Sequence, residues 1–209
     1  MALNINGTTG ISGVDGSVSA PAVTGTDSNT GITFPSADTI KFSTGGVERM
    51  SITNSGVSGT GIGAGKILQV LSTIKTDLYS QGTSGSFTDI PNLNVTITPV
   101  STSSKIFVMV HLCHQINSNS DFAYRLLRGS TALGNSTVGS EGSRYGIACG
   151  TIDQNRGNPV AFNFLDSPNT TSATTYKVQV NHQNGSYRLN SRAGQWDGSS
   201  TITVMEVGQ

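Results

Sequence analysis

The densest run of chemically capable side chains is "HLCH", in which His111, Cys113 and His114 place three potential metal ligands within four residues. The apolar stretch around them, "SKIFVMVHLCH", reads as a strand, and successive side chains of a strand point to opposite faces. His111 and Cys113 are therefore expected on one face and His114 on the other, so that one chain cannot turn all three toward one ion. No fourth ligand is evident nearby. The expected role is that of polar and thiol residues at a subunit interface; a metal would require three copies of His111 around a threefold axis. No GxSxG, HExxH or phosphate-cradling glycine loop occurs, and "GTGIGAGK" ends in Lys66 without P-loop spacing or a following Ser or Thr. Carboxylates such as Asp121, Asp153, Asp166 and Asp197 are scattered, and spacing nominates no glycosidase pair. The expectation is a chain without catalytic residues, metal or cofactor, with a glycan-depolymerising enzyme as the catalytic alternative. Cys113 and Cys149 form no CxxC and are expected to be two buried, reduced thiols.

Composition bounds what can position these groups. Of 209 residues only 34% are hydrophobic and 11% charged, with 26 glycines, which favours strands and turns over helices. Lys plus Arg equals Asp plus Glu at 12 each, so no basic footprint points to nucleic acid or to a membrane surface. "MALNINGTTG" has neither a charged n-region nor an apolar h-region, and no run of apolar residues is long enough to span a bilayer. A soluble chain without an export signal is expected.

The pattern changes near residue 65. Before it, apolar pairs recur between turn signals: Ile32 and Phe34, Ile40 and Phe42, Met50 and Ile52. So few buried side chains cannot offset the entropy of ordering the segment in one chain. Several identical chains wound about an axis could do so, each strand gaining main-chain partners from its neighbours and these six residues meeting at the centre. Residues 1–28 carry only isolated small apolar side chains among Gly and Ser and are expected to be disordered or held extended by another molecule.

From residue 66 onward the strands are longer. "LNVTITP" sets Leu93, Val95 and Ile97 against Asn94, Thr96 and Thr98. "SKIFVMVHLCH" is apolar on both faces, with Ile106, Val108, Val110 and Leu112 against Phe107, Met109 and Cys113. "VAFNFL" sets Val160, Phe162 and Phe164 against Ala161 and Leu165, and "STITVMEV" sets Ile202 and Val204 against Met205 and Val207. Strands apolar on both faces need cover on both, and a neighbouring subunit is the expected second cover. "TTYKVQVNHQ", Asn184-Gly185 and "SYRLNSR" read as a hairpin. Seven or eight strands without a helix imply a β-sandwich, most simply a jelly roll.

At this point the residues resemble a known family. "GGVERMSITNSGVSGTGIG" is similar to the recurring segment of bacteriophage tail fibres and related virion appendages, although Ser51 stands where that segment often carries Arg. "NINGTTGISGVDGSVSAPAVTG" resembles N-terminal regions of structural proteins of tailed phages, marine and cyanobacterial ones in particular. "FTDIPNLNVTITPVSTSSKIFV", "YRLLRGST", "FLDSPNTTSATTYKVQV" and "STITVMEV" are similar to phage jelly-roll tip domains, trimeric in the manner of tumour necrosis factor and adenovirus fibre heads. The resemblance implies a homotrimeric virion protein assembled in the host cytoplasm, all-β, with three parts. Residues 1–28 would attach it to other virion proteins, 29–65 would form a short interwoven trimeric β-shaft, and 66–209 a jelly-roll head. Host-surface recognition and adsorption is the implied function; a capsid decoration or cement trimer is the alternative.

Two polar segments of the head carry rings and guanidinium groups: "GSEGSRYGIACGTIDQNRGN", with Arg144, Tyr145 and Arg156, and "SYRLNSRAGQWDGSS", with Tyr187, Arg192, Trp196 and Asp197. An aromatic ring can stack on the apolar face of a sugar while neighbouring polar groups bind its hydroxyls. These seven residues are the expected contacts to a host-surface glycan, Trp196 foremost as the only tryptophan.

Overall fold

The structure, a computed structural model, describes residues 4–6, 10–12, 15–59, 66–82, 85–135, 146–192 and 196–208; at 4–6, 10–12, 192 and 196 it describes the backbone only. The chain divides into two compact units, Met1–Lys66 and Ile67–Gln209. Every regular element among the described residues is a strand.

In the first unit β1 (Asn4–Asn6) pairs with β2 (Gly10–Ser12), and β3 (Gly16–Ser17) with β4 (Ala20–Pro21). Then β5 (Val23–Thr24), β6 (Gly31–Thr33), β7 (Ile40–Thr44), β8 (Val47–Thr53) and β9 (Gly56–Ser58) form one antiparallel meander in chain order. Gly45 and Gly46, at φ 60° and 72°, make the two-residue turn between β7 and β8, which needs a positive φ at both positions. The expectation that these strands take main-chain partners from neighbouring chains is corrected, because the chain pairs them with one another. Part of the supposedly unordered leader is built in as well. Val23 pairs with Ile32, the Ala22 amide donates to the Ile32 carbonyl and the Phe34 amide to that of Asp15. The Thr30 hydroxyl and then the Asn29 amide donate to the Asp27 carboxylate, holding its pKa below the usual range and fixing the β5–β6 loop.

In the second unit β10 (Ile67–Lys75), β11 (Tyr79–Gln81), β12 (Thr88–Ile97), β13 (Lys105–Ile116), β14 (Ser120–Arg128) and β15 (Thr131–Leu133) are followed by β16 (Ala148–Ile152) and β17 (Arg156–Asp166). The chain continues through β18 (Thr174–His182), β19 (Tyr187–Leu189), β20 (Ser191–Arg192), β21 (Trp196–Asp197) and β22 (Ser200–Val207). One sheet runs β10-β22-β13-β17, with β19 and β11 continuing it beside the far end of β13. The other runs β12-β18-β14, and β15 and β16 share the outer edge of β14. With the last strand between the first and the third long strands, and every pairing antiparallel, this is a jelly-roll sandwich. Inward positions follow the two-residue period: Leu93, Val95 and Ile97 on β12, Ile106, Val108, Val110 and Leu112 on β13, Ile202 and Val204 on β22.

The hairpin expected at Asn184-Gly185 does not form. β18 lies in the second sheet and β19 in the first, so this turn carries the chain across the sandwich and lets Tyr187 and Leu189 enter the core. Cys149 is likewise exposed, on β16 at the sheet edge, and not the buried thiol expected; Cys113 is half-buried and both are free. Pro91 sits in β12 where the pairing register shifts between Asp89 and Asn94, a bulge that tolerates its missing donor.

Polar groups tie the sheets together. Asp166, at the end of β17, is buried and accepts both Arg128 Nη1 of β14, at 2.8 and 2.9 Å from its two oxygens, and the Tyr176 hydroxyl of β18 at 2.7 Å. Tyr124 and Tyr187 share a hydroxyl hydrogen bond of 3.0 Å between β14 and β19, deep in the core. Burial, then the partner ring's charge and hydrogen bond, pushes the Tyr124 pKa far up, keeping the pair neutral. At the far end of β10 the Asn190 amide donates to the carbonyls of Lys75 and Asp77 and accepts from Ser200 Oγ at 2.6 Å. Asp166→Ala leaves the buried Tyr176 hydroxyl without its acceptor, while the part-exposed Arg128 keeps the Ser167 carbonyl. It is expected to cost about 2–3 kcal/mol in denaturant unfolding of the head, and Tyr176→Phe only about 1 kcal/mol.

Candidate functional site

The first sheet of the head presents an outer face that its own chain leaves open. Antiparallel register aligns the outward residues in rows: Ile67 with Val207, then Val70, Met205, Phe107 and Leu165. Ser72, Thr203, Met109 and Asn163 follow, then Ile74, Thr201, His111 and Ala161. Ile67, Val70, Ile74 and Leu165 are 49 to 63% exposed, far more than apolar side chains in a finished core. The sequence marked the β13, β17 and β22 residues of this face by their double-sided patterns. The β10 residues were missed, although their apolar side chains also fall on both sides of "KILQVLSTIKT". Met109, His111, Ala161, Asn163, Thr201 and Thr203 line a shallow depression at its middle.

The meander repeats this arrangement in a more extreme form. Ile32 faces Phe42, and Phe42 faces Met50; Ile40 faces Ile52, and Ile52 faces Val57. Phe34 lines a groove with Ile40 and Ile52. All six residues expected in a shaft core thus share one sheet face, together with Val23 and Val57, and none of them is buried. The buried positions of the meander are Thr33, Ser43 and Ser51 on the opposite face. There Ser51 and Ser58 share a hydrogen bond of 2.9 Å, and Lys41 meets Glu48 at 2.6 Å. A sheet with its hydroxyls inside and its apolar residues outside is the inverse of a self-sufficient one.

The loop candidates separate. Arg156 and Asp197 are exposed, at the start of β17 and the end of β21. Arg192 and Trp196 face each other in the β20–β21 ribbon, their side chains lying outside the described residues, as do Arg144 and Tyr145 entirely. Tyr187 is withdrawn from the set: its ring is fully buried and its hydroxyl is engaged by Tyr124, so it meets nothing outside the fold. His111 and Cys113 point outward and His114 inward, the split that period-two geometry imposes.

His114, which patterning set on the face opposite His111, is a core residue. Its ring is fully buried, edge-on to Phe122 and Tyr124 and stacked on Tyr187 at 5.8 Å, and neither ring nitrogen has a hydrogen-bond partner among the described residues. Burial pushes its pKa down to about 4. His182 stacks on Tyr187 from β18 and is lowered too, burial outweighing the nearby carbonyls of Asn184 and Gly82. A histidine held neutral in the fold takes up its proton more readily when unfolded, near pH 6.5. Its contribution is complete above that value and is lost as pH falls toward 4. The head is expected to lose about 3 kcal/mol of unfolding free energy over that window, and His114→Phe is expected to flatten the profile, as read by denaturant titrations between pH 7.5 and 4.

No family model matches the chain, and no characterised protein matches it by sequence. Among solved structures it is similar to that of the infectious bursal disease virus Gx strain, at 12% identity and a TM-score of 0.40, over 93% of this chain and 58% of the viral one. It is also similar to the T13 viral particle of the same virus, at 13% identity and 0.41 over 93% and 54%, and to its derived T=1 particles, at 13% and 0.38 over 94% and 54%. The chain spans little more than half the length of these viral chains.

Proposed function

We propose that the protein is a structural component of a virion, a homotrimeric tail fibre or fibre-like appendage whose head contacts the host surface. The observation that carries the reading is the inverted meander, with Thr33, Ser43 and Ser51 inside and Ile32, Phe42, Met50 and Ile52 outside. Such a sheet gains its hydrophobic stabilisation only when other copies cover it. The count of three, the virion setting and attachment through residues 1–28 to other virion proteins rest on the resemblance of "GGVERMSITNSGVSGTGIG" and the head motifs to phage fibres. Assembly needs no cofactor, nucleic acid or membrane in this reading.

Receptor contact is assigned to the remaining loop candidates, Arg144, Tyr145, Arg156, Arg192, Trp196 and Asp197, with a surface glycan as ligand. Weak single contacts suffice because three heads on each of several fibres bind together. Trp196→Ala should leave oligomeric state and melting temperature unchanged and lower adsorption of virions to host cells at least tenfold; parental adsorption by a folded variant would remove Trp196 from the contact set. The meander is a single short sheet, which also suits a capsid decoration trimer. A low-resolution virion map separates the two: density at the tail supports the fibre, and density on the capsid lattice supports the decoration protein.

A further inference from the structure

The two apolar faces differ in what they can hold. The head face spans four strands about 4.8 Å apart and four side-chain rows about 6.8 Å apart, roughly 19 by 27 Å or about 520 Å². The meander face spans five strands but only two rows, roughly 24 by 14 Å or about 340 Å². A specific interface needs about 1,000 Å² in total, or about 500 Å² from each partner. The head face clears that figure and the meander face does not.

Resting on the homotrimer proposed above, we infer that the head face is the interface that holds the copies together, and that the meander face closes against the meanders of those same copies only as a consequence. Its occupant is a second and third copy of this chain. Val23, Ile32, Phe34, Ile40, Phe42, Met50, Ile52 and Val57 give it a mainly apolar surface, and Asp38, at the rim of its groove, already accepts from Asn54 Nδ2 of its own chain. Covalent attachment to an assembled head raises the local concentration of meanders to about the millimolar range, which allows a sub-threshold face to associate. Dependence runs one way: the meander requires the head trimer, and the head trimer does not require the meander.

The full-length chain tests this with variants on each face. Ile52→Asp disrupts the meander face; Val70→Asp with Leu165→Asp disrupts the head face at residues already exposed in the single chain. Sedimentation velocity reads the oligomer, and peroxide oxidation of Met50, followed by mass spectrometry, reads whether the meander face is covered. Ile52→Asp is expected to remain trimeric with Met50 oxidised at least tenfold faster than in the parent. The head double variant is expected to be monomeric with Met50 oxidised equally fast. Monomeric Ile52→Asp, or a head variant that stays trimeric with Met50 protected, overturns the inference. Should the double aspartate variant misfold by circular dichroism, Val70→Thr with Leu165→Thr replaces it, with a trimer dissociation constant raised at least tenfold as the expected result and an unchanged one as the overturning result. A monomeric parent refutes the homotrimer itself, whereas a trimeric parent with the dependence reversed refutes only this inference.

Discussion

A chain that builds a sheet apolar on both faces must find cover for both, and this one supplies cover for one. The β12-β18-β14 sheet closes the inner side of the head, burying Ile106, Val108, Val110, Leu112, Ile202 and Val204. Phe107, Met109, Met205, Leu165, Val70 and Ile74 remain on the other side. Phe107, Met109 and Met205 are half-buried and Val70, Ile74 and Leu165 exposed, so the single sandwich uses their apolar surface only in part. An open apolar face of this kind suits cover by a second surface, which is how the proposed assembly follows from the fold.

The interior shows that the single sandwich is complete without that second surface. Asp166 joins the sheets through Arg128 and Tyr176, the Tyr124–Tyr187 pair joins them again, and Asn190 closes the end of β10 through backbone carbonyls. Glu206 is buried with no cation beside it among the described residues; burial pushes its pKa up, but hydrogen bonds from Gln69 Nε2 and the Val100 amide outweigh this and hold it low. Hydrogen-bonded networks of this kind favour one arrangement of the core. The meander lacks any comparable network. Its side-chain bonds are isolated pairs such as Lys41 with Glu48, Arg49 with Thr44 and Asn54 with Asp38, and its apolar side remains uncovered.

Much of this was legible before any coordinates. Period-two alternation separated the two faces of β12, β13, β17 and β22, because a strand's side-chain geometry is local; which face of β13, β17 and β22 turns inward is decided by the β12-β18-β14 sheet that covers it. The same rule split His111 and Cys113 from His114. What it could not supply was pairing: the meander strands find one another within the chain, and the Asn184-Gly185 turn joins two sheets and not one hairpin. Both outcomes depend on contacts distant in sequence. Tyr187 shows the cost of reading loops by composition, since an aromatic among Ser, Asn and Arg proved to be the centre of the core once His114, His182 and Tyr124 closed around it. Lys75 was invisible for a related reason: its stem is buried and only its ion pair with Asp77 reaches solvent.

The central claim is that the uncovered faces are covered by copies of the same chain. Native mass spectrometry of the purified full-length protein at low micromolar concentration tests it most directly. The account requires a single dominant species of three times the chain mass. A stable, fully folded species of one chain mass, persisting as concentration is raised, would contradict it.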